Sequence, residues 1–311
     1  MTLLTYLTVY AGLLFFCVAC VARAIRYARA PVHLRWELYP VPHGSSALAA
    51  HGGSCYEVSD ASQKPRRPDR LGAWKVMIPE MLLLKGLWSI NRRLWVRSFP
   101  FHIGLYLIIG SIVLLVLAAV TSIAVPGLAA GMPARIAKSL YVAAGISGGV
   151  LACAGALGLL LRRLTDQNLR PYTTAGDFFN LVAFLVTLGV LAAGFLSKGA
   201  DAPGALTIAR GLLQFDTSLE IPSALAAGLM LGSALAAYVP LTGMSHFIAK
   251  YFTYHAVRWD DRPSLCDGRL QRAIAENLAR RPTWTAAHMG ADGTRTWAEV
   301  AAAGPTRDHQ P

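Results

Sequence analysis

Five apolar stretches, each long enough to cross a bilayer, constrain this chain more than anything else in its sequence. They run over roughly 3–22, 101–124, 139–161, 176–196 and 222–246, and a spanning helix needs about 20 such residues. Hydrocarbon offers no hydrogen-bond partners, so the backbone in these stretches must satisfy itself as helix. The expectation is an all-α integral membrane protein, a bundle of five transmembrane helices. The composition agrees, with 54% hydrophobic residues, 15% charged and a mean hydropathy of +0.43. Four blocks follow: a first helix over 1–26, a long polar segment over 27–97, four helices over 98–250 and a polar tail over 251–311.

The net charge of +12 would suit a nucleic-acid binder if it lay on one surface. Its distribution says otherwise. Twenty-five of the 29 Lys and Arg residues fall in the segment 23–97, the loop after the third span and the tail, against four in the remaining loops. By the positive-inside rule, the N-terminus is outside and the C-terminus cytoplasmic, in an inner, multi-pass membrane protein. The basic excess is then an orientation signal, and no nucleic-acid partner is needed. The first span has no basic residue before its core, which predicts a retained helix rather than a cleaved signal peptide.

Residues 75–97, KVMIPEMLLLKGLWSINRRLWVR, mix Met, Leu and Trp with Lys and Arg. They predict an interfacial amphipathic helix, with Trp88 and Trp95 at headgroup level, or a partner-docking helix. Thr174 and Asp177 form a capping box opening the fourth span. Gly145/Gly149 and Gly228/Gly232 offer small faces for helix packing. The five cysteines are scattered, without zinc or iron–sulfur spacing. Cys17 and Cys20 read as apolar fillers of the first helix.

Two of the eight histidines stand apart. His102 lies about one turn inside the second span and His246 about one turn before the end of the fifth, on antiparallel helices near the basic face. An imidazole there is a ligand, a structural hydrogen bond or an interfacial residue. The matched depth is what a b-type haem needs, with one imidazole from each helix on opposite faces of the iron. Arg92, Arg93, Arg97 and Lys250 are candidates to meet its propionates, though each also serves as a positive-inside anchor. His255 rivals His246 but lies beyond the span.

The stretches FHIGLYLIIG (101–110), GISGGVLACAGALGLLLRRL (145–164) followed by TTAGD, and VPLTGMSH (239–246) resemble the gamma subunit of respiratory nitrate reductase. They also resemble relatives of that cytochrome paired with heterodisulfide-reductase-like iron–sulfur subunits. The resemblance implies a five-helix cytochrome b with the cytoplasmic-side haem on His102 and His246. It places the ligands of a second, outer haem at Ile112 and Gly228, neither of which binds iron, so a single haem b is expected. A family lysine tied to the quinone aligns at Ala137, beside Lys138, and its role does not transfer.

One haem near the inner face would need its quinone in the inner half of the membrane. Trp88, Trp95 and Asp177 are candidates for that pocket. HLRWELYPVPH (33–43) is similar to versions that dock a heterodisulfide-reductase-like iron–sulfur subunit at the cytoplasmic face, favoured over a molybdenum enzyme. The expected function is electron transfer between a membrane quinone and such an iron–sulfur or flavin partner, as a subunit of a respiratory redox complex rather than a complete enzyme. The alternatives are a haem-free anchor of the same complex and a small transporter. Against the transporter, the spans carry no convincing mid-depth carboxylate or broken helix.

Overall fold

The structure is a computed structural model that describes residues 1–29, 70–128, 131–257, 269–282, 291 and 293–303. The motif at 33–43, five of the histidines (33, 43, 51, 288 and 309), Cys55 and Cys266 lie outside the described residues. The described elements are helical: α1 (Thr2–Arg29), α2 (Arg70–Leu83), α3 (Lys85–Ile90), α4 (Arg92–Ala124), α5 (Met132–Thr165), α6 (Ala175–Ser197), α7 (Ala205–Gln214), α8 (Ser223–Tyr238), α9 (His246–Val257), α10 (Arg269–Leu278) and α11 (Trp297–Ala303). Five are long and apolar enough to span a membrane: α1, α4, α5, α6, and α8 with its 3₁₀ extension to Leu241. Their surfaces leave Leu14, Ile109, Ile146, Val150 and Leu196 more than half exposed, as lipid contact requires.

The chain divides into two units. The first comprises Met1–Cys20 and Ile78–Met244, and the second Val21–Met77 and Ser245–Pro311.

In the first unit the closest packing is α4 against antiparallel α5. A Cβ added at Gly104 would stand 2.4 Å from Ala152 N, one at Gly148 2.8 Å from Gly104 O, and one at Gly155 2.3 Å from Phe101 N. These distances leave no room for any side chain. The backbones touch where Gly104, Gly148 and Gly155 bring them together, and Ser111 Oγ donates to Tyr141 O at 2.7 Å further along. Of the glycines the sequence singled out, Gly145 approaches only Ser111 and Gly149 meets open space. Small-residue spacing reveals a face but not which neighbour takes it.

α6 packs on α8. A Cβ at Gly194 would be 2.7 Å from Leu225 Cα, and Tyr238 OH donates to Asn180 Oδ1 at 3.0 Å. The helix α7 lies in the loop after the fourth span, where a ten-residue stretch is too short for the length and hydropathy signal of a membrane crossing. It ends at Phe215 in the left-handed conformation (φ 55°) and packs on α4. Its Ile208 joins Tyr6, Ile221, Leu225 and Ala226 in a buried cluster. Tyr10 OH donates to Leu212 O, and Thr2 Oγ1 donates to Leu219 O at 2.6 Å.

In the second unit the Tyr27 ring lies 5.8 Å from that of Phe252 on α9. Among the described residues of the tail, α11 carries its own N-terminal cap. Thr296 and Glu299 make a reciprocal capping box, with Thr296 N donating to Glu299 Oε2 at 2.7 Å and Glu299 N to Thr296 Oγ1 at 3.3 Å. These donors hold the Glu299 carboxyl below its ordinary value, the backbone N–H of Thr296 most of all. Val300 is buried behind the box, and Trp297 N donates to Arg280 O at 2.9 Å.

The glycine contacts make a direct prediction. Gly155→Ala should lower the stability of the detergent-solubilised protein by about 1–3 kcal/mol, the usual cost of overpacking. Gly149→Ala, with nothing within 4 Å, should be neutral or stabilising by about 0.5–1 kcal/mol, because Ala is the better helix former. Thermal unfolding of the two variants side by side checks this.

Candidate functional site

α4 begins at Arg92, nine residues before the apolar span. Asn91 caps it, its side chain accepting from Leu94 N at 3.0 Å, and Pro100 is absorbed within the helix. The helix presents two faces. Phe101, Gly104, Ile108 and Ser111 meet α5. Trp95, Phe99, His102 and Tyr106 recur at spacings of three and four and share the roughly opposite face.

The His102 imidazole is half-buried. Its Nδ1 lies 2.8 Å from Ser98 O, one turn earlier on the same helix, and 3.3 Å from Ser98 Oγ. A carbonyl oxygen only accepts, so Nδ1 carries the proton and Nε2 carries the lone pair. A metal-ligating histidine of a protein is set up in this way, with one ring nitrogen donating to a fixed acceptor. The Phe101 ring meets the imidazole edge-on at 5.5 Å.

The stretch 75–97 is divided among α2, α3 and the start of α4 rather than forming one helix. Leu84 stands between α2 and α3 in the left-handed conformation (φ 50°), and Glu80 Oε2 accepts from Gly86 N at 2.7 Å across the corner. Two side chains of α4 hold this corner. Trp95 Nε1 donates to Leu83 O at 2.8 Å, and Tyr106 OH donates to Met81 O at 2.9 Å. They bracket His102 along the helix. The Trp88 and Trp95 rings meet edge-on at 4.7 Å, Trp95 stacks on Phe99 at 4.4 Å, and the Arg92 guanidinium covers Trp88 at 4.7 Å.

Of the three proposed pocket residues, the structure joins Trp88 and Trp95. Asp177 is engaged elsewhere. Its Oδ2 accepts from Thr174 N at 2.9 Å and Thr174 Oγ1 at 3.0 Å, while Oδ1 pairs with Arg163 at 3.3 Å. It closes the capping box of α6 and ties it to the end of α5. Arg93 and Arg97 are exposed. Arg97 rests its stem beside Gly158 and turns its guanidinium back to Arg93 O at 2.7 Å.

His246 sits differently from the expectation. The fifth span ends in a 3₁₀ turn at Val239–Leu241, containing Pro240, and a second 3₁₀ turn covers Gly243–Ser245. His246 is the exposed first residue of α9, with Lys250 half-buried one turn on. His102 belongs to the first unit and His246 to the second.

Sequence reasoning missed Ser98, Phe99 and Tyr106. The signal was the i, i+4 Ser–His pair and the aromatic stripe flanking it. Among the described residues there is no group of three or more His, Cys, Asp and Glu side chains fit to hold a metal ion. The donor chemistry of His102, a neutral imidazole with its lone pair on Nε2, would suit a haem iron.

A model of the nitrate reductase gamma subunit family matches residues 88–260, more than half of the chain, from α3 through α9. The chain belongs to the nitrate reductase gamma subunit family. It is thus a multi-pass membrane cytochrome b subunit of a redox complex, in a family that works beside catalytic and iron–sulfur subunits. No curated protein and no solved structure matches it.

The corner contacts predict a local effect. Trp95→Phe and Tyr106→Phe keep an aromatic ring at each position but remove both donors to the corner. The double variant should exchange amide hydrogens faster over residues 78–90, with residues 140–160 of α5 unchanged. Hydrogen–deuterium exchange by mass spectrometry reads both regions in one sample.

Proposed function

We propose that this chain carries a single bis-histidine haem b, ligated by His102 and His246 near the cytoplasmic face. In this reading the N-terminus lies outside and the C-terminus in the cytoplasm. When bound, the haem supplies a one-electron couple between a quinone in the inner half of the membrane and a cytoplasmic iron–sulfur partner of the heterodisulfide-reductase-like kind. The single observation that carries the reading is the Nδ1–H of His102 held to Ser98 O at 2.8 Å, which directs the lone pair to Nε2. Family membership supports it independently.

The rest of the chain would supply position and protection. α5 packs against the turn that carries His102 and fixes its height. Trp95 stacked on Phe99, with Trp88 edge-on to Trp95, would offer an aromatic surface beside the ligand helix for a quinone ring. Asp177 contributes by fixing α6 on α5, since its carboxylate is committed to Thr174 and Arg163. Arg92, Arg93, Arg97 and Lys250 would offset propionate charge. The segment 27–97 and the tail 251–311 would dock the partner, with 98–250 as the haem-binding region.

Two features favour one haem over two. Gly228 is closed by α6, where a Cβ would stand 2.9 Å from Leu191 Cδ2 and 3.0 Å from Leu191 Cα. No ligating side chain fits there without moving a backbone. Ile112, at the other aligned position, is 54% exposed and has no donor atom. A quinone served from the far face would then face most of a bilayer core about 30 Å thick, a distance over which electron tunnelling is very slow.

Spectroscopy tests the reading. The purified complex should show a b-type α-band in its reduced-minus-oxidised spectrum, and His102→Ala and His246→Ala should each abolish it while the chain still assembles in the membrane. Absence of the band from the wild-type protein would favour the haem-free anchor.

A further inference from the structure

Resting on that reading, we propose that Ser98 is a positioning residue whose side chain, as well as its carbonyl, sets the electron-donating strength of His102. The Nδ1–H of His102 faces two acceptors on one residue, Ser98 O at 2.8 Å and Ser98 Oγ at 3.3 Å. Ser98 is 9% exposed, so water competes little for either oxygen.

A proton shared by two acceptors is drawn further from its nitrogen, and the ring gains imidazolate character. Nε2 then donates more strongly, which favours ferric over ferrous iron and lowers the midpoint potential. The carbonyl fixes the tautomer by itself. The hydroxyl adds the second acceptor and keeps the ring from rotating away. The contact arises within one turn of one helix, so it does not depend on how the chain folds elsewhere.

The test compares Ser98→Ala, which deletes Oγ, with Ser98→Thr, which keeps a hydroxyl, in the full-chain membrane complex. Potentiometric titration of the α-band reads only bound haem, so partial occupancy leaves the measurement valid. The midpoint should rise in Ser98→Ala and stay near the wild-type value in Ser98→Thr, and the low-spin ferric signal should shift only in the alanine variant. Loss of haem from the alanine variant with retention in the threonine variant also supports the assignment. An unchanged midpoint in Ser98→Ala with haem bound, or loss of haem from both variants, overturns this inference while leaving the haem reading standing. A wild-type chain with no b-type spectrum overturns both.

Discussion

The close approach of α4 and α5 governs what the rest of the first unit can do. Lipid gives helices no hydrophobic reason to associate, so association must come from packing and from hydrogen bonds. Here Gly104, Gly148 and Gly155 remove side chains from the crossing, and the backbones meet directly. Phe101 and Gly104, the neighbours of His102 in sequence, are both part of that crossing. The imidazole therefore stands on a turn whose height and rotation are fixed from behind. Its own face is left to the aromatic stripe and to the α2–α3 corner that Trp95 and Tyr106 hold.

This arrangement separates two tasks that one helix must perform. One face of α4 makes structure, with Phe101, Gly104, Ile108 and Ser111 set against α5. The other gathers the groups with chemistry: an imidazole with a defined tautomer and Trp95 stacked on Phe99, with Trp88 of α3 edge-on to Trp95 and the Arg92 guanidinium over Trp88. A redox subunit gains from this separation, since reorganisation around an electron-transfer centre is smallest when its ligand cannot move. The same logic explains the far half of the unit. There α6 closes over Gly228, and the cluster of Tyr6, Ile208, Ile221, Leu225 and Ala226 fills the space with apolar side chains.

Much of this was legible in the sequence, because bilayer thickness imposes a length and a hydropathy that a single chain cannot disguise. The five spans stand in number and order, and the Thr174–Asp177 capping box is present. What failed was local. Asn91 caps α4 ahead of its apolar core, so the span starts early. Pro240 ends α8 in a 3₁₀ turn, so His246 opens α9 rather than closing the fifth span. The box at Thr296–Glu299 has the same T-x-x-acid spacing as the one at Thr174, yet the helix it opens, Trp297–Ala303, is far too short to span a bilayer and does not draw the eye in the sequence. Gly104 and Gly155 lay outside the chosen glycine pairs, since sequence spacing does not say which helix comes against which face. The proposed ligand pair rests on the depth of two imidazoles and on family likeness. The tautomer of His102 needed coordinates, because it rests on a side chain meeting its own helix.

The account stands or falls on how many haems this chain holds. The haem-to-chain ratio of the purified protein, from a pyridine haemochromogen assay set against quantitative amino-acid analysis, measures that directly. The account predicts one b-type haem per chain. A ratio near zero, or a ratio near two, would contradict it.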